Sequence, residues 1–166
     1  VKNLRAFARQ ESREITRVDI VASIQSALEL AQGKLQEGEI DLRWTPPETP
    51  VWVQGGEVRL TQVMVNLISN AADAMAGRQK RVLGIEISRE SGARVRVEVS
   101  DTGPGIEAPE KIFDPFYSTK EVGAAEGMGL GLSISYGLVQ SFGGNSRGAN
   151  APEGGAVFSV ELDPWQ

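Results

Sequence analysis

Hydrophobic positions along this chain follow two periods, and each change of period marks an element. Between Asp19 and about Glu37 the apolar residues Ile20, Val21, Ile24, Ala27, Leu28 and Ala31 recur at helical steps, with Asp19 as N-cap and Gly38 as the stop. Two short runs, Ile40–Trp44 and Val51–Val53, read as strands around a Pro-Pro-Glu-Thr-Pro loop. Helical spacing returns after Gly55-Gly56, from Arg59 to Gly77, where Val63, Met64, Leu67, Ile68, Ala71, Ala74 and Met75 cover one broad side. Val82–Ser88 and Arg94–Ser100 then alternate as an antiparallel pair joined around Ser91-Gly92. A last helix is predicted from Gly127 to about Phe142, ended by Gly143-Gly144, and Ala156–Leu162 reads as a closing strand. Ahead of all these, Leu4 to about Arg17 carries Arg5, Arg9, Arg13 and Arg17 four apart, either the end of a long helix or a frayed tail.

The helix over Arg59–Gly77 has a second face. Gln62, Asn66, Ser69, Asn70 and Asp73 fall at three- and four-residue steps and share one stripe. A stripe that only met water would favour Lys and Glu, which suit a helix and cost nothing exposed. Two carboxamides a turn apart and an Asp are groups that bind specific partners. The stripe is either the floor of a cleft or a solvated face of odd composition.

Composition narrows the chemistry. The 166 residues, 40% of them hydrophobic, suffice for one domain with a real core. A net charge of −5 argues against nucleic acid as a partner. With no Cys there is neither a disulfide framework nor a thiolate metal site. With no His there is no imidazole to act as base, metal ligand or phosphate acceptor. No apolar run approaches the roughly 18 residues of a membrane span, and no signal peptide opens the chain. The opening, Val-Lys-Asn-Leu-Arg without an initiator Met, reads as part of a longer protein.

Two glycine-bearing segments add candidate chemistry. Asp101-Thr-Gly-Pro-Gly-Ile106 follows a strand directly, so Asp101 is either a rigid carboxylate able to accept from an exocyclic amine or the cap of a plain turn. Gly103 and Gly105 let backbone pass close to a flat ligand. Gly127-Met-Gly-Leu-Gly-Leu132 opens a helix, where converging N–H groups and the helix dipole favour a phosphate. No Gly-Lys-Ser/Thr follows it and no strand immediately precedes it, so it is neither a Walker loop nor a dinucleotide fingerprint. Between the two lies a loop-like segment with Phe113, Phe116, Tyr117 and Ser118-Thr119-Lys120.

Taken in order, Asn66-x-x-x-Asn70, DTGPGI at 101–106, FDPFYSTK at 113–120 and GMGLGL at 127–132 resemble the N, G1, F and G2 boxes of sensor histidine kinase catalytic domains. The spellings NAADAM and FDPFYSTK are most similar to the kinases of nitrogen regulation and dicarboxylate transport. The resemblance covers about Asp19 to Leu162. It implies an α/β two-layer sandwich, a mixed and mainly antiparallel sheet packed on about three helices, with a flexible ATP lid near residues 107–127. Residues 18–166 form the catalytic domain on this basis, and residues 1–17 end a preceding helical hairpin or linker.

The resemblance also implies ATP and Mg²⁺. Asn70 is the metal ligand, which suits an ion content with one or two hard oxygens. Asn66 lies by the phosphates and Asp101 accepts from the adenine amine, with Gly103, Gly105 and Ile106 shaping that pocket. Gly127, Met128, Gly129, Leu130, Gly131 and Leu132 bind phosphate along the backbone, Lys120 reaches the γ-phosphate, and Asp73 lies with the nucleotide-facing residues. Asn66 stands where hydrolysing relatives carry a Glu, and an amide cannot take a proton from water. The expected activity is thus transfer of the γ-phosphate to a histidine on a dimerisation domain outside this chain, with Asn66 and Lys120 as catalytic groups and a response regulator downstream. The intact protein is expected to be a membrane-anchored dimer, this part of it cytoplasmic and without membrane contact. The alternatives are a nucleotide-gated binding module and a true ATPase.

Three positions depart from the family pattern. Asp73 stands where many members carry Lys or Arg, so phosphate charge must be met elsewhere, with Lys120 as candidate. Gly155-Ala-Val-Phe158 lacks a Thr found near the adenine, leaving water or backbone to replace that hydroxyl. Asn145–Asn150 is more polar and richer in glycine than the strand expected there.

Overall fold

A computed structural model describes residues 14–89, 93–107 and 128–165. Seven strands and four helices follow one another in it. Strand β1 (Thr16–Asp19) leads into α1 (Ile20–Leu30) and α2 (Gln32–Glu37), then come β2 (Asp41–Trp44), β3 (Trp52–Gly55) and α3 (Glu57–Ala74). The hairpin strands β4 (Val82–Arg89) and β5 (Val95–Ser100) precede α4 (Met128–Ser141), β6 (Asn145–Asn150) and β7 (Ala156–Leu162).

The main sheet has the order β2-β4-β5-β7-β6; β2 runs parallel to β4 and every other pairing is antiparallel. Alternation decides which face is covered: Leu83 and Ile85, Val95, Val97 and Val99, and Ala156, Phe158, Val160 and Leu162 are all buried, and they join one core with the helices. Among the helices α3 is central, with α1 packed along one flank and α4 along the other. Its apolar side, Leu60, Val63, Met64, Leu67, Ile68 and Ala71, lies at 0–2% exposure. Leu67→Ala is expected to lower unfolding stability by about 3 kcal/mol, since the site cannot collapse around the lost methyls; urea denaturation measures it. A loss under about 1 kcal/mol would contradict this placement of α3.

Asp19 caps α1 as the sequence predicts, its Oδ1 accepting from the Val21 N–H, and the same oxygen accepts from Val51 N–H, both at 3.1 Å. The single helix expected to Glu37 is broken at Ala31 into α1 and α2. Gly38 closes α2 in an ordinary right-handed conformation, and the left-handed turn falls on Glu39 (φ 52°). Strand β1 lies in a segment that reads as a tail or helix end in the sequence. It pairs antiparallel with β3, Val18 opposite Val53, and Arg17 lies over the Trp52 ring at 4.1 Å. On its other side β3 meets the chain beyond β7, through Gln54 N–H to Asp163 and a bridge from Val53 to Pro164. Asn145–Asn150, too polar in sequence for the strand expected there, is a strand after all, at the sheet's edge where only one side must pair. Among the described residues no helix is long and apolar enough to cross a membrane.

Candidate functional site

The polar stripe of α3 is half-buried rather than solvated: Asn66, Ser69, Asn70 and Asp73 are all partly covered, and only Gln62 is exposed. Groups from two other helices reach it. From α4, Gly131 C=O and Ser135 Oγ accept from Asn66 Nδ2 at 3.3 and 2.9 Å. From α2, Lys34 Nζ donates to Ser69 Oγ at 2.8 Å and lies 2.7 Å from Asp73 Oδ1. Asn70 lies between these attachments, and its carboxamide makes no hydrogen bond to another described residue. A half-covered carboxamide with open donor and acceptor capacity is suited to a ligand.

Asp101 stands at the end of β5, 4% exposed, held in register where its N–H donates to Ala156 C=O at 3.0 Å. Its Oδ1 accepts from Gly103 N–H at 2.8 Å and Ala156 N–H at 3.3 Å. Its Oδ2 is buried with no hydrogen-bond partner among the described residues. Burial pushes this carboxyl above its usual range, against the opposing pull of the Gly103 and Ala156 N–H groups and the nearby Arg78 charge. A buried carboxylate oxygen left unpaired is costly, and a donor brought by a ligand would satisfy it.

The turn after Asp101 is built for close approach. A Cβ on Gly103 would stand 2.7 Å from Ala74 C=O, and one on Gly155, at φ +85°, would overlap the Asp101 carbonyl. Gly105 takes φ +91°, and Asn150 clasps the next residue: Ile106 N–H donates to its Oδ1 at 2.6 Å, and its Nδ2 donates to Ile106 C=O at 2.9 Å. A cavity of about 840 Å³ opens beside this turn, with Asp101, Thr102, Gly103, Arg78, Lys80 and Gly155 on its wall.

The sequence-predicted residues divide into three sets. Asn66, Asn70 and Asp73 share the α3 stripe, while Asp101, Gly103, Gly105 and Ile106 form the strand-end turn. Gly131 meets Asn66, and Leu132 is 7% exposed with its side chain in the core, so only its backbone can serve a ligand. Met128, Gly129 and Leu130 open α4. Lys120, Gly127 and nearly all of the expected lid lie outside the described residues. Sequence reasoning missed Lys34, Ser135 and Asn150, which reach the site across long separations, and Arg59, whose position in an amphipathic helix hid its burial. That guanidinium is 5% exposed, donates to Glu14 C=O at 2.6 Å and Ser141 Oγ at 3.0 Å, and lies over Phe142.

Comparison with known proteins identifies the family of this fold. Residues 55–166 match the family described as histidine kinase-, DNA gyrase B- and HSP90-like ATPase. The C4-dicarboxylate transport sensor protein DctB of Pseudomonas aeruginosa is 35% identical over 99% of this chain and 27% of its own length. The sensor histidine kinase ZraS of Escherichia coli is 37% identical over 87% of this chain and 30% of its own. The chain thus spans less than a third of the length of either relative. Among solved structures, the catalytic domain of histidine kinase ThkA is 31% identical, covers 90% of this chain and 97% of its own, and superposes with a TM-score of 0.75. Full-length ShkA in complex with AMPPNP is 28% identical, covers 92% of this chain and 32% of its own, with a TM-score of 0.72. The chain belongs to the histidine kinase-, DNA gyrase B- and HSP90-like ATPases, as a nucleotide-binding catalytic domain of the sensor histidine kinase kind found in two-component systems.

Proposed function

We propose that this domain binds Mg-ATP between the α3 stripe and the Asp101 turn and transfers the γ-phosphate to a histidine on a separate dimerisation domain of the same protein. The observation that carries this reading is the buried, unpartnered Oδ2 of Asp101, an acceptor suited to the exocyclic amine of adenine. ShkA, a relative of similar fold, is known in complex with AMPPNP, a nucleotide of the same class. Asn70 is assigned to Mg²⁺, a reading supported by its half-covered carboxamide without a hydrogen bond to another described residue; the ion would supply neutralisation of phosphate charge. Gly127 to Gly131 are assigned to phosphate through their backbone N–H groups, and Lys120 to the γ-phosphate.

Asn66 positions rather than activates. Its Nδ2 is committed to Gly131 and Ser135 of α4, which locks the glycine-bearing helix start against α3. No carboxylate occupies its place to take a proton from water, which favours transfer over hydrolysis. Residues 18–166 are assigned to the catalytic unit, with Thr16 and Arg17 drawn into it by β1, and the earlier residues to the end of a preceding hairpin or linker. The remaining partners follow from the same reading: a response regulator downstream, and a cytoplasmic location in a membrane-anchored dimer.

The test is phosphate transfer from labelled ATP. Alone, the chain should acquire no acid-labile phosphate, since it contains no histidine. Mixed with a hairpin carrying the acceptor histidine, it should label that hairpin, slowly, because tethering normally provides an effective concentration in the millimolar range. Rapid release of phosphate with no labelled hairpin would replace this reading with an ATPase. Tight Mg-ATP binding with neither outcome would leave a nucleotide-gated binding module.

A further inference from the structure

A carboxylate on the stripe that faces a phosphate-bearing ligand is an electrostatic problem. Asp73 lies three residues after Asn70 and seven after Asn66, within about 20° of Asn66 around the helix. Left uncovered, its charge would oppose the phosphates that the same stripe is proposed to face. The structure covers it from another element. In α2 Leu35 enters the core while Lys34 reaches α3, where its ammonium meets Asp73 Oδ1 at 2.7 Å and Ser69 Oγ at 2.8 Å. Ser69 and Asp73 bracket Asn70 along the helix, so the cation is held beside the residue assigned to Mg²⁺. An ammonium carries three donors, and these two contacts leave one uncommitted.

We propose that Lys34 is a phosphate-facing residue of the nucleotide site: Asp73 and Ser69 fix its ammonium, which neutralises Asp73 and offers its third N–H to a phosphate oxygen. This role rests on the Mg-ATP reading above. It gives Asp73 a positioning role, acting on the nucleotide through Lys34. At 39% side-chain exposure for Lys34 and 24% for Asp73, the pair is open enough to meet a ligand and too open to add much stability as a helix tie.

The experiment is calorimetric titration of the parent, Lys34→Met, Lys34→Arg, Asp73→Asn and the Lys34→Met/Asp73→Asn double variant with Mg-ATP and with adenosine. Lys34→Met should weaken Mg-ATP about tenfold, the scale of one cation removed and one carboxylate uncovered at a half-screened site. Adenosine, which has no phosphate, should bind as to the parent. Lys34→Arg should restore most of the affinity, and the double variant should bind better than Lys34→Met, because the opposing carboxylate is gone. Asp73→Asn alone should weaken Mg-ATP by less than Lys34→Met does, because the ammonium loses one of its two anchors while the opposing carboxylate is also gone. A mere tie between α2 and α3 predicts none of this pattern. Unchanged Mg-ATP affinity in Lys34→Met, or an equal loss for adenosine, would overturn the role while leaving the nucleotide site in place. A parent that binds no Mg-ATP would overturn the nucleotide reading itself.

Discussion

Asn70→Ala is expected to abolish the Mg²⁺-dependent part of ATP binding, a loss of about 100-fold or more. Substitutions in the shell around a metal cost 10- to 100-fold, and losing a direct ligand should exceed that. The fold should survive, because the carboxamide is only half-covered and makes no hydrogen bond to another described residue. Its unfolding stability should stay within about 0.5 kcal/mol of the parent's. Calorimetry with and without Mg²⁺ provides a sharp check: the variant with Mg²⁺ should match the parent in chelator. A variant whose affinity still rises on adding Mg²⁺ as the parent's does would remove Asn70 from the metal.

Asp101→Asn should change which base the site accepts. The parent presents an acceptor at Oδ2, so guanine, with a carbonyl where adenine has its amine, would set acceptor against acceptor. An unsatisfied buried group costs about 1–3 kcal/mol, and ATP should therefore bind on the order of 100-fold more tightly than GTP. In the variant Oδ1 still accepts from Gly103 and Ala156, while an amide nitrogen replaces Oδ2. ATP affinity should fall by a similar factor and the preference should collapse or reverse. Equal parental affinities for ATP and GTP would take Asp101 out of base recognition.

The same substitution has a pH signature. Desolvation raises the Asp101 carboxyl above the ordinary 3.8 of an aspartate, so the folded protein holds this proton more tightly than the unfolded chain. That contribution to stability is complete below 3.8 and is lost as pH rises through the folded value. At neutral pH the parent carries a buried charge that Asn does not, and the variant should be the more stable of the two. Acidification toward 3.8 should close the gap, as denaturation midpoints against pH would show. A gap that widens on acidification would mean that burial does not dominate this carboxyl.

Legibility in the sequence follows the length of the buried repeat. Helix α3 runs through five turns and β7 through four inward positions, so their periods are plain, and Ala156–Leu162 is the strand predicted. Strand β1 has four residues and one buried, Val18, which carries no period; only β3 beside it makes it a strand. Ala31 and Gln32 favour helix as well as their neighbours do, so the break between α1 and α2 left no mark except Gly33. The strand β6 hid behind its polarity because an edge tolerates what a centre does not. In the site, Asp101 and its glycines announce themselves within six residues. Asn150 meets Ile106 across 44 residues and Lys34 meets Ser69 across 35, and no local pattern encodes such meetings.

The two strands that end the main sheet bear on self-association. Strand β2 exposes Asp41 and Arg43, which pair with each other at 2.6 Å, and Pro46 and Pro47 follow it, neither able to donate to a neighbouring strand. At the opposite border β6 exposes Arg147 and Asn150 and carries Gly148 within its six residues. Charges, prolines and a short irregular strand are the features by which open sheet borders resist joining one another. Two copies of this domain brought side by side therefore meet borders that discourage a shared sheet, and crowding them together should not by itself seed aggregation through backbone pairing.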